Sequence, residues 1–257
     1  MAFAGKALIP RMILLVLFGF FQTTQAMSQE RDFKTSFEYL DDFVNFYITP
    51  QAHLGSTYHE QSDDKVLEGR YSHKAWITKS NPNSTWWANN NHRGYPTIQL
   101  YKTAAGAFST PSYITLWVWL DMPLHSRAGA GEDDWFSFAT FTDDESDRWA
   151  RTVLVNLSHE GFVHLMHVPH QGGQSYEYQT DSLTFPQQQW VKLTVYLDFR
   201  DNGYAKVWQD GVLVSHAKVS DTQNRLAQAH FGLYASPHIE TGVVYNDDIV
   251  IKEVAEE

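Results

Sequence analysis

The stretch AHFGLYASP, from Ala229 to Pro237, alternates Ala229, Phe231 and Leu233 with His230, Gly232 and Tyr234. Period-two alternation is the pattern of a β-strand, so one face is apolar and the other carries an imidazole, bare backbone and a phenol. An imidazole and a phenol can each take up or return a proton in general acid–base chemistry. FVHLMHVPHQ adds His164, His167 and His170, three residues apart each time. On a helix that spacing could gather metal ligands. Val163 and Leu165 give the segment a strand pattern instead, so His164 and His167 face opposite ways and His164 is the candidate for a functional face.

Carboxylates are the next chemistry-bearing group. Glu132, Asp133 and Asp134, and Asp143, Asp144, Glu145 and Asp147, read as solvated loop charges or as oxygen donors for calcium. Asp41, Asp42, Asp247 and Asp248 mark chain ends that would meet if first and last strands pair. A structural calcium ion near Asp247 and Asp248 is an expectation there, and no metal is otherwise assigned. Strands with paired glutamates, as retaining glycosidases use them, are missing from the sequence, which counts against hydrolysis.

These groups need strands to position them, and the chain supplies many. YITLWVWLD sets Ile114, Leu116, Val118 and Leu120 against Thr115, Trp117 and Trp119. WVKLTVYLDF sets Val191, Leu193, Val195 and Leu197 against Lys192, Thr194 and Tyr196. TIQLYK sets Ile98 and Leu100 against Thr97, Gln99 and Tyr101, and RTVLVNL sets Val153, Val155 and Leu157 against Thr152, Leu154 and Asn156. DNGYAKVWQDGVLVSH is a hairpin pattern turning at Asp210-Gly211. No run has convincing helical spacing. One apolar face per strand predicts an all-β, two-sheet antiparallel sandwich. Three turn-rich loops, Asn81–Gly94, Leu124–Asp134 and Val168–Ser175, are candidate binding loops.

Composition agrees. The 257 residues are 43% hydrophobic and 15% aromatic, with nine Trp, thirteen Tyr and sixteen Phe. Aromatics suit pleated, half-buried surfaces. Residues 1–26 read as a secretory signal peptide: Lys6 and Arg11, the apolar run Met12 to Phe21, then a small-residue site ending at Ala26. Residues 27–35 are read as a flexible lead and 36–257 as a single β-sandwich domain. The absence of cysteine excludes disulfides and a lipoprotein anchor. Lys6 and Arg11 are the only charges of the leader, so its removal leaves 17 basic against 30 acidic residues. That balance excludes nucleic acid and an anionic membrane surface as partners. A secreted or periplasmic monomer without stable membrane insertion is expected.

The polar faces of these strands offer Gln99, Tyr101, Trp117, Trp119, Lys192, Tyr196, His230 and Tyr234. If the strands share one sheet, these side chains line an aromatic, polar groove. Sugars suit such a surface, because their C–H faces stack on rings while their hydroxyls need hydrogen bonds.

WVKLTVYLDFRDNGYAKVWQDGVLV and FGLYASPHIETGVVYNDDIVI resemble the closing segments of concanavalin A-like jelly rolls. Within that superfamily they are most similar to the heparin-lyase-like and alginate-lyase-like polysaccharide lyases. AHFGLYAS keeps the GxY core of the alginate-lyase strand, which puts Tyr234 on the catalytic tyrosine and His230 on a lysine. The strand of RTELR type is matched by TIQLYK, with Gln99 in the glutamate place and Tyr101 where an arginine is expected. The QIH strand is matched by DWFSFATFT, which has no histidine. The resemblance implies β-elimination on an acidic, uronic-acid polysaccharide, a reaction that needs no cofactor. Elimination requires a group to neutralise the uronate carboxylate and groups to move two protons. Tyr234 is the candidate acid, His164 or His230 the base, and Gln99, Arg93 or Asn156 the neutraliser. The alternative on the same scaffold is a non-catalytic, lectin-like carbohydrate-binding protein, which the departures from the lyase motifs favour.

Overall fold

The computed structural model describes residues 1, 31–39, 46–48, 57–81, 91–104, 106–127, 133–146, 148–169, 175–177, 183–220 and 222–254. The leader expected over residues 1–26 lies outside them, apart from Met1. Eighteen strands run antiparallel, and no α-helix occurs among the described residues. Sheet A holds β1 (Asp32–Thr35), β3 (Thr57–Ser62), β4 (Ser72–Ile77), β8 (Ser112–Asp121), β13 (Trp190–Leu197), β14 (Tyr204–Gln209), β15 (Val212–Lys218) and β18 (Gly242–Glu253). Its order is β15-β14-β13-β8-β18-β4-β3, with β1 also pairing β18. Sheet B holds β2 (Phe46–Ile48), β5 (His92–Gly94), β6 (Pro96–Gln99), β9 (Trp135–Thr142), β10 (Thr152–Ser158), β11 (Val163–Val168), β12 (Ser175–Glu177) and β17 (Gln228–Ala235). Its order is β12-β11-β10-β9-β17-β6-β2, and β5 also pairs β17. β7 (Phe108–Ser109) and β16 (Arg225–Leu226) form a separate short ribbon.

The apolar faces read from the sequence meet between the sheets. Ile114, Leu116, Val118 and Leu120 of β8 and Val191, Leu193, Val195 and Leu197 of β13 are wholly buried. They face a core that includes Phe136, Phe138 and Phe141 of β9 and Ala229, Phe231, Leu233 and Ala235 of β17. Burying each large apolar side chain contributes about 1.5–3 kcal/mol, so dozens of them offset the entropy of ordering the chain. The hairpin turn falls where expected. Asp210 (φ 47°) and Gly211 (φ 85°) join β14 to β15 with both central residues at positive φ, the geometry that matches strand twist.

Three boundaries differ from the sequence reading. Asp32–Thr35 is not a free lead but β1, paired with Ile249–Lys252 of β18; Arg31 anchors it through Glu253 at the other end of the chain. The segment Asn81–Gly94 is not loop throughout, because His92–Gly94 forms β5. TIQLYK leaves the sheet early. Leu100–Lys102 is a 3₁₀ turn closed by the Thr103 amide and hydroxyl donating to the Leu100 carbonyl, at 3.0 and 2.7 Å. Leu100 is drawn into the core, and Tyr101 is left half-buried beside Lys102, outside the strand.

Candidate active site

The outer faces of the two sheets meet solvent differently. Along β8 and β13 buried positions alternate with half-exposed ones. Along β9, β10 and β17 almost every position is buried on both faces. The outer face of sheet B is therefore covered rather than open to solvent, and its side chains form the floor of the candidate cleft.

Strand register arranges that floor in rows. One row runs Arg93, Tyr234, Ser137, Asn156, His164 across β5, β17, β9, β10 and β11. The next runs Thr97, His230, Thr140, Leu154, Met166, and a third Gln99, Gln228, Thr142, Thr152, Val168. Register shifts between Phe231 and Tyr234 and between Val155 and Asn156 let strands of unequal residue count keep both rows on one face.

Local contacts set each group. His92, between Asn91 and Arg93, turns inward; its Nε2 lies 2.9 Å from the Ile239 carbonyl and its Nδ1 3.2 Å from Thr57 Oγ1. That pins β5 and aims its neighbours outward. Asn91 Nδ2 donates to Tyr234 Oη at 2.9 Å, which leaves the phenol proton free to be given elsewhere. The Arg93 guanidinium sits 5.3 Å from the Tyr234 ring centroid. Trp135 packs edge-on against the same ring at 4.9 Å. His230 stacks on Tyr95, centroids 3.9 Å apart and planes 15° from parallel, with Trp149 4.9 Å away. The loop bearing Trp149 is held by Gln228, whose Nε2 donates to the carbonyls of Asp144 (2.7 Å) and Ser146 (3.1 Å). Asp144 in turn accepts the Ala150 amide at 2.9 Å.

The floor carries unpaired polarity. Among the described residues, both ring nitrogens of His230, the hydroxyls of Thr97 and Thr140, and Asn156 Oδ1 are buried with no hydrogen-bond partner. Buried polar groups are hydrogen-bonded in the great majority of cases. This face carries five of the ten side-chain atoms left without such a bond among the described residues, a clustering that a polar ligand would satisfy. Burial, with the Arg93 charge, pushes the His230 imidazole down to about 3. Its ring is neutral across the physiological range.

Several sequence-predicted residues meet here: Arg93, Gln99, Asn156, His164, His230 and Tyr234 share the outer face of sheet B. His164 stands three strands from Tyr234, roughly 14 Å by strand spacing. Burial lowers its basicity, and its Nδ1 lies 3.4 Å from the Phe162 carbonyl. His167 faces the other way, its ring between the Thr152 and Ser220 carbonyls at 3.0 and 3.1 Å. His170 lies outside the described residues.

Trp117, Trp119, Lys192 and Tyr196 are not in this cleft. β8 and β13 belong to sheet A, so these four residues occupy the outer face of the opposite sheet. Alternation tells which residues of a strand share a face, not which sheet the strand joins. Tyr101 is likewise absent from the cleft rows, carried off by its 3₁₀ turn. Gly232 does not open the backbone to a ligand. At φ 121°, a Cβ there would lie 2.9 Å from the Gly94 carbonyl oxygen and from His73 Cε1, so the position is filled by neighbouring chain.

Asp247 is buried, and its carboxylate accepts the amides of Asp248 (2.8 Å), Leu67 (3.0 Å) and Glu68 (3.3 Å). Burial nevertheless pushes it up to about 6. It caps the 63–71 loop with oxygens that a calcium ion would have to take from those amides. Among the described residues no group of three or more His, Cys, Asp or Glu is placed to hold a metal; Asp41 and Asp42 lie outside them.

Sequence reading missed Asn91, Tyr95, Thr97, Trp135, Thr140, Trp149 and Gln228. Asn91, Arg93, Tyr95, Thr97 and Gln99 in fact alternate across NHRGYPTIQ, a legible signal obscured by Pro96. Trp149 sits at positive φ in a loop and has no sequence signature.

Buried histidines make stability pH-dependent. His73, His92, His164 and His230 are all lowered below their ordinary value by burial. The unfolded chain protonates below about pH 6.5 where the folded one does not, so stability falls as pH drops. His230 alone removes about 2 kcal/mol by about pH 5. Asp247, pushed up to about 6, and Asp143, also raised by burial, act in the opposite sense but are outnumbered. The melting temperature is expected to fall from about pH 7.5 to about pH 5; a flat profile would contradict this.

The two sheets form a jelly-roll β-sandwich. The chain is similar in structure to an endo-β-1,4-glucuronan lyase from the fungus Trichoderma reesei, with TM-score 0.62 and 13% identity over 86% of this chain and 95% of that one. It is similar to the cellulose-induced protein Cip1 (TM-score 0.59, 13% identity, 88% and 100% covered) and to the alginate lyase Aly36B (TM-score 0.52, 12% identity, 88% and 98% covered). At these identities the likeness is one of fold. No family model and no curated protein matches the sequence.

Proposed function

We propose that the chain is a secreted polysaccharide lyase that cleaves a uronic-acid polymer by β-elimination in the cleft of sheet B. The observation that carries this reading is the cluster of unpaired buried polar atoms on Thr97, His230, Thr140 and Asn156, beside a tyrosine flanked by Asn91 and Arg93. The two lyases among the similar folds support the same reaction class.

Arg93 pairs with the uronate carboxylate, and Asn156, two strands beyond Tyr234, takes a hydroxyl of the adjoining sugar. Withdrawal of charge from the carboxylate makes the adjacent C5 proton removable. Tyr234 stands next to Arg93 in the row. In one concerted step its hydroxyl gives its proton to the departing O4 while its oxygen takes the C5 proton, so the tyrosine ends protonated as it began. The C5–H electron pair becomes the C4–C5 double bond and the C4–O4 bond breaks. His230, neutral and buried, is a hydrogen-bonding floor for sugar hydroxyls rather than a proton carrier. His164, far along the row, contacts a neighbouring sugar. The step needs no cofactor.

The depressed basicity of His230 and the acidic overall charge favour a second reading, binding without cleavage. Incubation with glucuronan, alginate, heparin and chondroitin separates the two. A lyase generates the ultraviolet absorbance of an unsaturated uronate on one of them. Binding with no absorbance on any would establish the carbohydrate-binding reading.

A further inference from the structure

Five of the nine tryptophans, Trp76, Trp117, Trp119, Trp190 and Trp208, lie on the outer face of sheet A, away from the cleft. One end of that face is occupied by the protein itself. Tyr58 stacks on Trp76, and Lys65 from the 63–71 loop lies 5.3 Å over Trp119. The other end is open. Trp117, Tyr113, Tyr196 and Trp208 are half-exposed or exposed there, on rows that also carry Thr115 and Thr194. Clustered exposed rings on a folded domain mark an interaction surface.

Charge says what the surface takes. Lys192 Nζ lies 5.9 Å over Trp117, and Lys206 Nζ 5.8 Å over Tyr196. Nearby acids are engaged: Asp198 with Arg200 at 2.9 Å, Asp210 with the Lys192 amide at 2.9 Å, and Asp247 under its loop. Neither Lys192 nor Lys206 makes an ion pair among the described residues, so two ammonium groups stand over rings on a chain of formal charge −11. Each lysine–ring pair offers a flat apolar face with a cation at its edge. That matches an anionic sugar, whose C–H face stacks while its carboxylate meets the ammonium.

We infer that the open end of sheet A, built on Trp117, Lys192, Tyr196 and Lys206, is a second binding surface for anionic polysaccharide, separate from the cleft and independent of cleavage. Electrophoresis through gels containing alginate or a neutral β-glucan tests it. The wild-type protein is retarded by alginate, and added salt weakens the retardation. Lys192→Ala/Lys206→Ala, with an unchanged melting temperature, weakens apparent affinity about tenfold. Lys192→Arg/Lys206→Arg retains it, and Trp117→Ala reduces it. Tyr234→Phe keeps it, so a protein without lyase activity can still bear out this surface, and an active one can refute it. Equal alginate affinity in the double alanine variant overturns the inference. So does equal retardation by the neutral glucan, or gel filtration showing this face buried between two copies.

Discussion

Tyr234→Phe should lower turnover on the responsive polyuronate by on the order of a hundredfold or more, in line with loss of acid–base assistance. Binding should stay close to normal. The substitution removes one oxygen and leaves the ring, and the ring is what Trp135, Tyr95 and Arg93 contact. Among the described residues its hydroxyl accepts one hydrogen bond, from the Asn91 amide at 2.9 Å, which can turn to water in the variant. Stability should therefore change little, and the loss should fall on kcat with KM nearly unmoved. Undiminished turnover would remove Tyr234 from the chemistry and turn attention to His164. A rise in KM with kcat intact would make it a binding residue.

How much of this was legible in the sequence follows from what alternation encodes. Period-two patterning places Val118 inward and Trp117 outward on β8, and the structure agrees at each position. It also put His230 and Tyr234 on one face of β17, as they are. Sheet membership is a different kind of information. β8 and β17 are both central strands with one apolar face, and nothing local in either says that β18 lies beside the first and β9 beside the second. The aromatic residues of β8 were therefore assigned to the wrong sheet, while Arg93, Gln99 and Asn156 fell on the right one. The stacking of Tyr95 and Trp149 on His230 depends on a loop and a bulge, whose paths are set by distant contacts such as Gln228 with the Asp144 and Ser146 carbonyls.

Gly232 links that bulge to the site, and Gly232→Ala should be among the most damaging single substitutions. The residue lies at φ 121°, a region that L side chains rarely adopt, at a cost of about 1–3 kcal/mol. The added methyl would also sit 2.9 Å from the Gly94 carbonyl oxygen, 2.9 Å from His73 Cε1 and 3.2 Å from Tyr95 Cβ. The carbonyl belongs to a paired strand and His73 to the wholly buried core, so neither yields easily. Overpacking of this kind adds about 1–3 kcal/mol. The combined loss, roughly 2–6 kcal/mol, is a large part of the stability of an ordinary domain. Gly106→Ala is the control, with φ 74° but no atom within 4 Å of the new methyl. Denaturant titration of the two variants separates backbone strain from packing. If the close approach matters, the Gly232 variant loses clearly more than the Gly106 variant. Equal losses would mean that strain alone accounts for the glycine. Where Gly232→Ala still folds, Tyr95 must shift away from position 232, and the ring that stacks on His230 moves with it. Sugar affinity should then fall even in the fraction that remains native, because the floor of the cleft and the strand that carries Tyr234 are packed through the same glycine.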